Sequence, residues 1–183
     1  TAYRALTWRG EAPAATPRPA RPVGELVWLH AAEDEGLNAV LDLAGRLAAN
    51  REGLSVLVTQ AETVPDVAHQ AIPPHLLTDA LPSEHPDAVA AFLDHWAPDA
   101  CLWTWGRLRP NLVLETRARA CEMILLDADE SGFDGRRDRW LPDLTSTVLA
   151  QFSQVMARSK AWLRRLQQIG LARDRVRLTE PLM

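Results

Sequence analysis

Six short apolar runs, each hydrophobic on both faces, alternate with longer stretches that are apolar on one face only, and this alternation restricts the fold more than any single residue does. The runs are 26–30 (LVWLH), 54–59 (LSVLVT), 99–104 (DACLWT), 122–127 (EMILLD), 153–157 (SQVMA) and 175–179 (RVRLT), with a weaker seventh at 75–80. A strand that is apolar on both sides has to be covered on both sides, as a parallel strand between layers of helices is. Between the runs, Leu37, Val40, Leu41, Ala44, Leu47 and Ala48 recur at the i, i+3, i+4 spacing of a one-faced helix, and so do Val89, Phe92, Leu93 and Trp96. Similar stripes fill 109–119 and 159–169, the latter through Trp162, Leu166 and Ile169 to Gly170, a residue suited to a left-handed helix stop. Strand and helix repeating every 25–30 residues or so make βαβ units, so the expected fold class is α/β, a three-layer Rossmann-like domain with a mostly parallel sheet.

A chain of 183 residues with 47% hydrophobic content can bury one sizeable core, so one folded domain is expected. Pro13, Pro17, Pro19 and Pro22 keep 10–24 out of a helix. The expected division is an extended Pro-rich segment over 1–24 and a folded domain over 25–183. No run approaches the roughly 18 apolar residues of a membrane span, so the chain as given is expected to be soluble. Cys101 and Cys121 have neither a CxxC partner nor a histidine at metal spacing; buried, reduced thiols and a cytosolic setting are the expectation, with no metal. The formal charge of −4 hides an asymmetry, with 13 acids against 6 bases in 1–98 and 11 against 14 in 99–183. An acidic chain without a continuous basic stripe is a poor nucleic-acid binder, and an anion would dock on the second half.

In parallel α/β folds ligands collect at the carboxyl ends of the strands. The residues just after each run are therefore the ones to inspect: His30 to Glu35, Thr59 to Glu62, Trp103 to Asn111, Asp127 to Glu130, and Arg158 with Ser159. The acids Glu33, Asp34 and Glu35 read either as a solvated helix start, favoured there by the helix dipole, or as a source of a general base beside a sugar hydroxyl. A nucleotide phosphate would be repelled by them. In Trp103-Thr104-Trp105-Gly106-Arg107-Leu108-Arg109-Pro110-Asn111 the two tryptophans face one side, Gly106 permits a tight turn and Pro110 suits a first helical turn. Arg107 and Arg109 could meet an anion there, and Arg136, Arg137 and Arg139, ahead of Trp140, form a second basic group. A phosphoacceptor receiver domain also carries acids after its first strand, but it needs a lysine after a late strand, and Lys160, within a helical stripe, is the only lysine.

Several stretches together resemble the amino-terminal domain of the 3-deoxy-D-manno-octulosonic acid (Kdo) transferases. WLHAAEDEG (28–36) is similar to the family's W-[IL]-H followed by small residues and Gly-Glu. PDACLWTWGRLRPNL (98–112) is similar to P-D-x-x-[LV] followed by E-[ST]-E-L-W-P-N-L. DADES (127–131) stands at N-A-R-[ML]-S, and LQQIGLARDRVRLTE (166–180) is similar to the closing L-x-x-L-G-x-x-x-x-x-V-x-[VL]-T-G. The resemblance runs over nearly the whole chain from about residue 25.

It implies one half of a GT-B fold, acting on a lipid A precursor or related glycolipid at the cytoplasmic face of the inner membrane in lipopolysaccharide biosynthesis. The donor, CMP-Kdo, is expected mainly on the protein's own C-terminal domain, which this chain would lack, with no other cofactor and no transfer by this half alone. A membrane-associating segment is expected in front of the domain, and the membrane surface is an expected partner. The family's catalytic base aligns with Gly36, so Glu35, one residue early, is the candidate base, with Asp34 beside it; one residue at a helix start turns a side chain by about 100°. His30, Arg107, Arg109, Asn111, Arg136, Arg137 and Arg139 are the candidate acceptor contacts. Two acids of the second family motif fall at Trp105 and Arg107, and the arginine of the third falls at Asp129. These changes leave a second expectation open, a catalytically degenerate glycolipid-binding domain of the same ancestry.

Overall fold

The computed structural model describes residues 18–33, 36–61, 75–130 and 142–182. Among the described residues seven strands, β1 (Leu26–Ala31), β2 (Ser55–Gln60), β3 (Leu77–Thr78), β4 (Ala100–Thr104), β5 (Glu122–Ala128), β6 (Gln154–Ala157) and β7 (Val176–Leu178), form one sheet ordered β3-β2-β1-β4-β5-β6-β7. All neighbours run parallel. The helices are α1 (Leu37–Asn50), α2 (Pro86–Trp96), α3 (Pro110–Ala118), α4 (Pro142–Leu149) and α5 (Lys160–Gln168). The expected mostly parallel α/β fold is the one observed.

Every residue of β1 is buried, and alternate residues serve two cores. Leu26 and Trp28 join Leu57, Cys101, Trp103, Met123 and Leu125 under α2, α3, α4 and α5. Val27, Leu29 and Ala31 join Val56 and Val58 under the stripe Leu37, Val40 and Ala44 of α1. Burying both faces of a central strand is what its unbroken apolar run required. The weak seventh run is a strand of only two residues, β3. Helix α4 is the element the periodicity did not foretell: Thr145-Ser146-Thr147 at its centre are poor helix formers, and burial of Val148 and Leu149 seats it instead.

Capping also uses residues remote in sequence. Ser159 Oγ accepts from the amide of Trp162 at the start of α5, as a local N-cap does. At α3, by contrast, the amides of Asn111 and Leu112 donate to the carboxylate of Glu84, at 3.0 and 3.3 Å. The described part of the Pro-rich segment is clipped to the domain by its arginines. Arg18 pairs with Asp79 at 2.7 Å, and Arg21 donates to the carbonyl of Trp96 at 2.7 Å. The unpaired carbonyls and negative dipole end of α2 favour a guanidinium there.

Candidate functional site

The strand order reverses between β1 and β4: from β1 the chain winds outward to β2 and β3, and from β4 it winds the other way to β7. The two connections leave opposite faces of the sheet and open a crevice at the carboxyl ends of this pair, where open α/β sheets take ligands. Two segments line it, Ala32, Glu33 and Gly36 after β1 and residues 105–109 after β4.

The two segments are bound to each other. Thr104 Oγ1 accepts from the amide of Ala32 at 2.9 Å and donates to the carbonyl of His30 at 3.3 Å. The amide of Gly36 donates to the carbonyl of Glu33 at 3.2 Å, closing the first turn. The side chain of Glu33 lies across Gly106, so closely that a Cβ at Gly106 would stand 2.8 Å from Glu33 Cγ and Oε1 and 2.9 Å from Ala32 Cβ. Gly106 has φ +149°, and only glycine meets both requirements. Glu33 is exposed, and its carboxylate has no ion-pair or hydrogen-bond partner among the described residues. Arg107, the next residue after Gly106, is exposed as well, with no carboxylate within ion-pair distance among the described residues. An exposed carboxylate lying against Gly106 and an exposed guanidinium thus stand at the switch point.

The other expected contacts divide three ways. Asp34, Glu35, Arg136, Arg137 and Arg139 lie outside the described residues. His30, Arg109 and Asn111 are not brought to the rim; they are turned into the protein. Arg109 Nη2 donates to the carbonyl of Pro82 at 2.6 Å, and its Nε lies 3.7 Å from Glu84 Oε1. Asn111 Nδ2 donates to the carbonyl of Glu84 at 2.8 Å. Both residues hold the 82–84 loop, and through it the cap of α3. His30, 1% exposed, stacks 4.2 Å from the Trp103 ring, with Nδ1 2.9 Å from Thr59 Oγ1, which also accepts from Trp28 Nε1 at 2.9 Å. Burial, reinforced by the positive charge of Arg109, pulls the pKa of His30 from 6.5 down to about 3, so the imidazole is neutral. It is a polar clasp inside the sheet.

Residues at charged or polar positions of the motifs quoted above are engaged within the domain. Trp105 is 8% exposed and packs edge-on against Trp162, 5.6 Å away. Asp129 faces Arg158 at 3.8 Å. Asp127, at φ +57°, accepts the amide of Leu182 on both carboxylate oxygens, at 3.0 and 3.2 Å, tying the end of the described chain to β5. Sequence reasoning treated Glu33 only as part of an acidic run; the glycine at 106 was the signal for its seat, but the pairing of the two turns is visible only in three dimensions. Among the described residues no group of three or more His, Cys, Asp or Glu stands together as a metal site, and no helix is long and apolar enough to cross a membrane.

A model of the 3-deoxy-D-manno-octulosonic-acid transferase (kdotransferase) family matches residues 6–182. The chain belongs to that family. It is 28% identical over 144 residues to a probable mitochondrial 3-deoxy-D-manno-octulosonic acid transferase of Arabidopsis thaliana, covering 76% of this chain and 32% of the plant protein. Among solved structures, the UDP-N-acetylglucosamine 2-epimerase of Rickettsia bellii superposes with a TM-score of 0.63 at 12% identity, over 87% of this chain and 46% of that one. The UDP-GlcNAc 2-epimerase of Neisseria meningitidis gives 0.59 at 12% identity, over 85% and 45%. At such identities these likenesses speak for the fold alone, a Rossmann-like domain of GT-B type. The chain spans about a third of the length of the plant relative and a little under half of each epimerase.

Proposed function

We propose that this Kdo-transferase-family domain binds the sugar acceptor of a glycosyltransferase, the complete enzyme moving Kdo from CMP-Kdo to a lipid A precursor at the cytoplasmic face of the inner membrane. The donor would sit mainly on a second domain. The observation that carries the reading is the carboxylate of Glu33, held over Gly106 at the β1/β4 switch point with no partner among the described residues. A carboxylate so placed can accept the proton of an acceptor hydroxyl while that oxygen bonds to the anomeric carbon. As that bond forms, the bond from the anomeric carbon to the CMP phosphate oxygen breaks, and its electron pair leaves with CMP. Arg107 beside it suits a phosphate of the acceptor.

A second reading, a glycolipid-binding domain without chemistry, is favoured by a different observation. Gly36 offers no side chain at the position the resemblance gives to the base, and Trp105 at an acidic position is packed away on Trp162. The deciding experiment is Kdo transfer from CMP-Kdo to a lipid A precursor by the complete parent protein, native and as Glu33→Gln, Asp34→Gln and Glu35→Gln. Under the first reading one of the three loses transfer by about a hundredfold or more while binding of the precursor persists. Absence of transfer by the native protein, with the precursor bound, selects the second. If the native protein neither transfers nor binds, both are wrong.

A further inference from the structure

Strand β1 ends at Ala31, whose carbonyl still accepts the amide of Ala61 from the β2 side at 3.0 Å. On the β4 side the last register pair is His30 with Trp103, and beyond it the link is made by a side chain. Thr104 Oγ1 takes the amide of Ala32 at 2.9 Å and gives its own proton to the carbonyl of His30 at 3.3 Å. The residue is 5% exposed, and branching at Cβ leaves it little rotamer freedom, so the hydroxyl is a fixed point. It also lies close under the start of α1, since a Cβ at Gly36 would stand 3.9 Å from it.

Glu33 follows Ala32 directly. Its carbonyl takes the amide of Gly36 at 3.2 Å, its side chain lies on Gly106, and its carboxylate has no hydrogen bond or ion pair among the described residues. Contact with a glycine gives a side chain room but little direction, because each dispersion contact is weak. The direction of the Glu33 side chain is therefore set by its main chain, and the tie just ahead of it is the Ala32 amide on Thr104. One stretch of chain thus supplies both the tether, Thr104, and the seat, Gly106.

We propose that Thr104 is the positioning residue for the Glu33 carboxylate, setting where this base meets the acceptor hydroxyl. This role rests on the reading of Glu33 as the base. A general base must come within hydrogen-bond reach of the proton it takes, and a displacement of about 1 Å costs about a hundredfold in rate. Groups that bind the acceptor elsewhere are untouched by such a displacement, so the loss falls on kcat rather than on KM.

The complete parent protein is assayed for Kdo transfer from CMP-Kdo to a lipid A precursor, and the 183-residue chain is followed by NMR, each native and as Thr104→Val and Thr104→Ser. Valine keeps the shape but strands the Ala32 amide and the His30 carbonyl. It should lower kcat about 10–100-fold with both KM values within about twofold, and serine, which restores the hydroxyl, should recover most of the rate. In the 183-residue chain valine should speed exchange of the Ala32 amide at least about tenfold relative to that of Leu29. It should also remove the nuclear Overhauser contact between the Glu33 γ-protons and the Gly106 α-protons. Thr116→Val, which deletes a buried 2.6 Å hydroxyl bond to Leu112 inside α3, should lower stability and leave kcat unchanged. Should Thr104→Val fail to fold, Thr104→Ala takes its place, since the smaller side chain admits a water to the two stranded groups but holds neither. A Glu33 contact that persists in the valine variant, a valine kcat equal to the native one while Glu33→Gln is inactive, a loss confined to KM, or no recovery by serine would each overturn the role of Thr104. Full transfer by Glu33→Gln would instead overturn the reading of Glu33 as the base, and this role with it.

Discussion

Lowering the pH should destabilise this domain through one residue above all, His30. The unfolded chain takes up a proton on this imidazole as pH falls through 6.5, whereas the folded protein refuses it until about pH 3, because burial and the charge of Arg109 disfavour imidazolium. The folded-state pKa is therefore the lower one, and the unfolded state binds more protons across that window. Stability is intact above about 6.5 and declines as pH drops, by up to 1.36 kcal/mol per pH unit for one proton. At pH 5 the loss is about 2 kcal/mol and at pH 4.5 nearly 3, from a total that for a single domain is about 5–15. Carboxylates add their own pH dependence, so the test is a difference. Native protein and His30→Phe are unfolded by urea at pH 7, 6, 5 and 4.5 and followed by far-UV circular dichroism. Phenylalanine keeps a ring against Trp103 but loses the bond to Thr59, so the variant should be about 1–2 kcal/mol weaker at pH 7. By pH 4.5 it should match or exceed the native protein. Two parallel stability curves would refute the reasoning.

Gly106→Ala forces a Cβ to within 2.8 Å of Glu33 and should cost about 1–3 kcal/mol, read as a lowered Tm; adding Glu33→Ala should recover only part, since Ala32 and the φ of +149° remain. Thr59→Val strands Trp28 Nε1 and His30 Nδ1 inside the sheet and should destabilise by about 2–4 kcal/mol in urea titration. Both cysteines should resist a thiol reagent at pH 8 until denaturant is added. Burial raises Cys101, and burial together with Asp99 pushes Cys121 up to about 12, so roughly one Cys121 in 10⁴ is thiolate at that pH. Glu84→Ala removes the remote cap of α3 and should cost about 1–2 kcal/mol in thermal unfolding.

The strands were legible because a chain buried on two faces has no freedom to be polar: LVWLH and EMILLD name their layer without help. α4 was not, since its helicity comes from where Val148 and Leu149 are buried rather than from its own sequence. The site was legible to the level of the turn and no further. Arg107 and Arg109 are two residues apart and chemically identical, yet one faces solvent and the other binds Pro82 and Glu84. What separates them is a loop some 25 residues upstream, which no local pattern around either arginine announces. Likewise the seat of Glu33 is a glycine in another connection.

The position of β1 governs the order in which the chain can be completed during synthesis. Leu26–Ala31 is the first of the described strands to leave the ribosome and lies inside the sheet, pairing with β2 on one side and β4 on the other. Its second edge stays bare until Thr104 has been made, about 70 residues later, or roughly 4–15 s at ordinary translation rates. Through that interval a strand reading Val-Trp-Leu offers unpaired amides and carbonyls to any other nascent copy, so on crowded ribosomes chaperone demand should peak before residue 104 and fall once the Thr104 hydroxyl closes on Ala32.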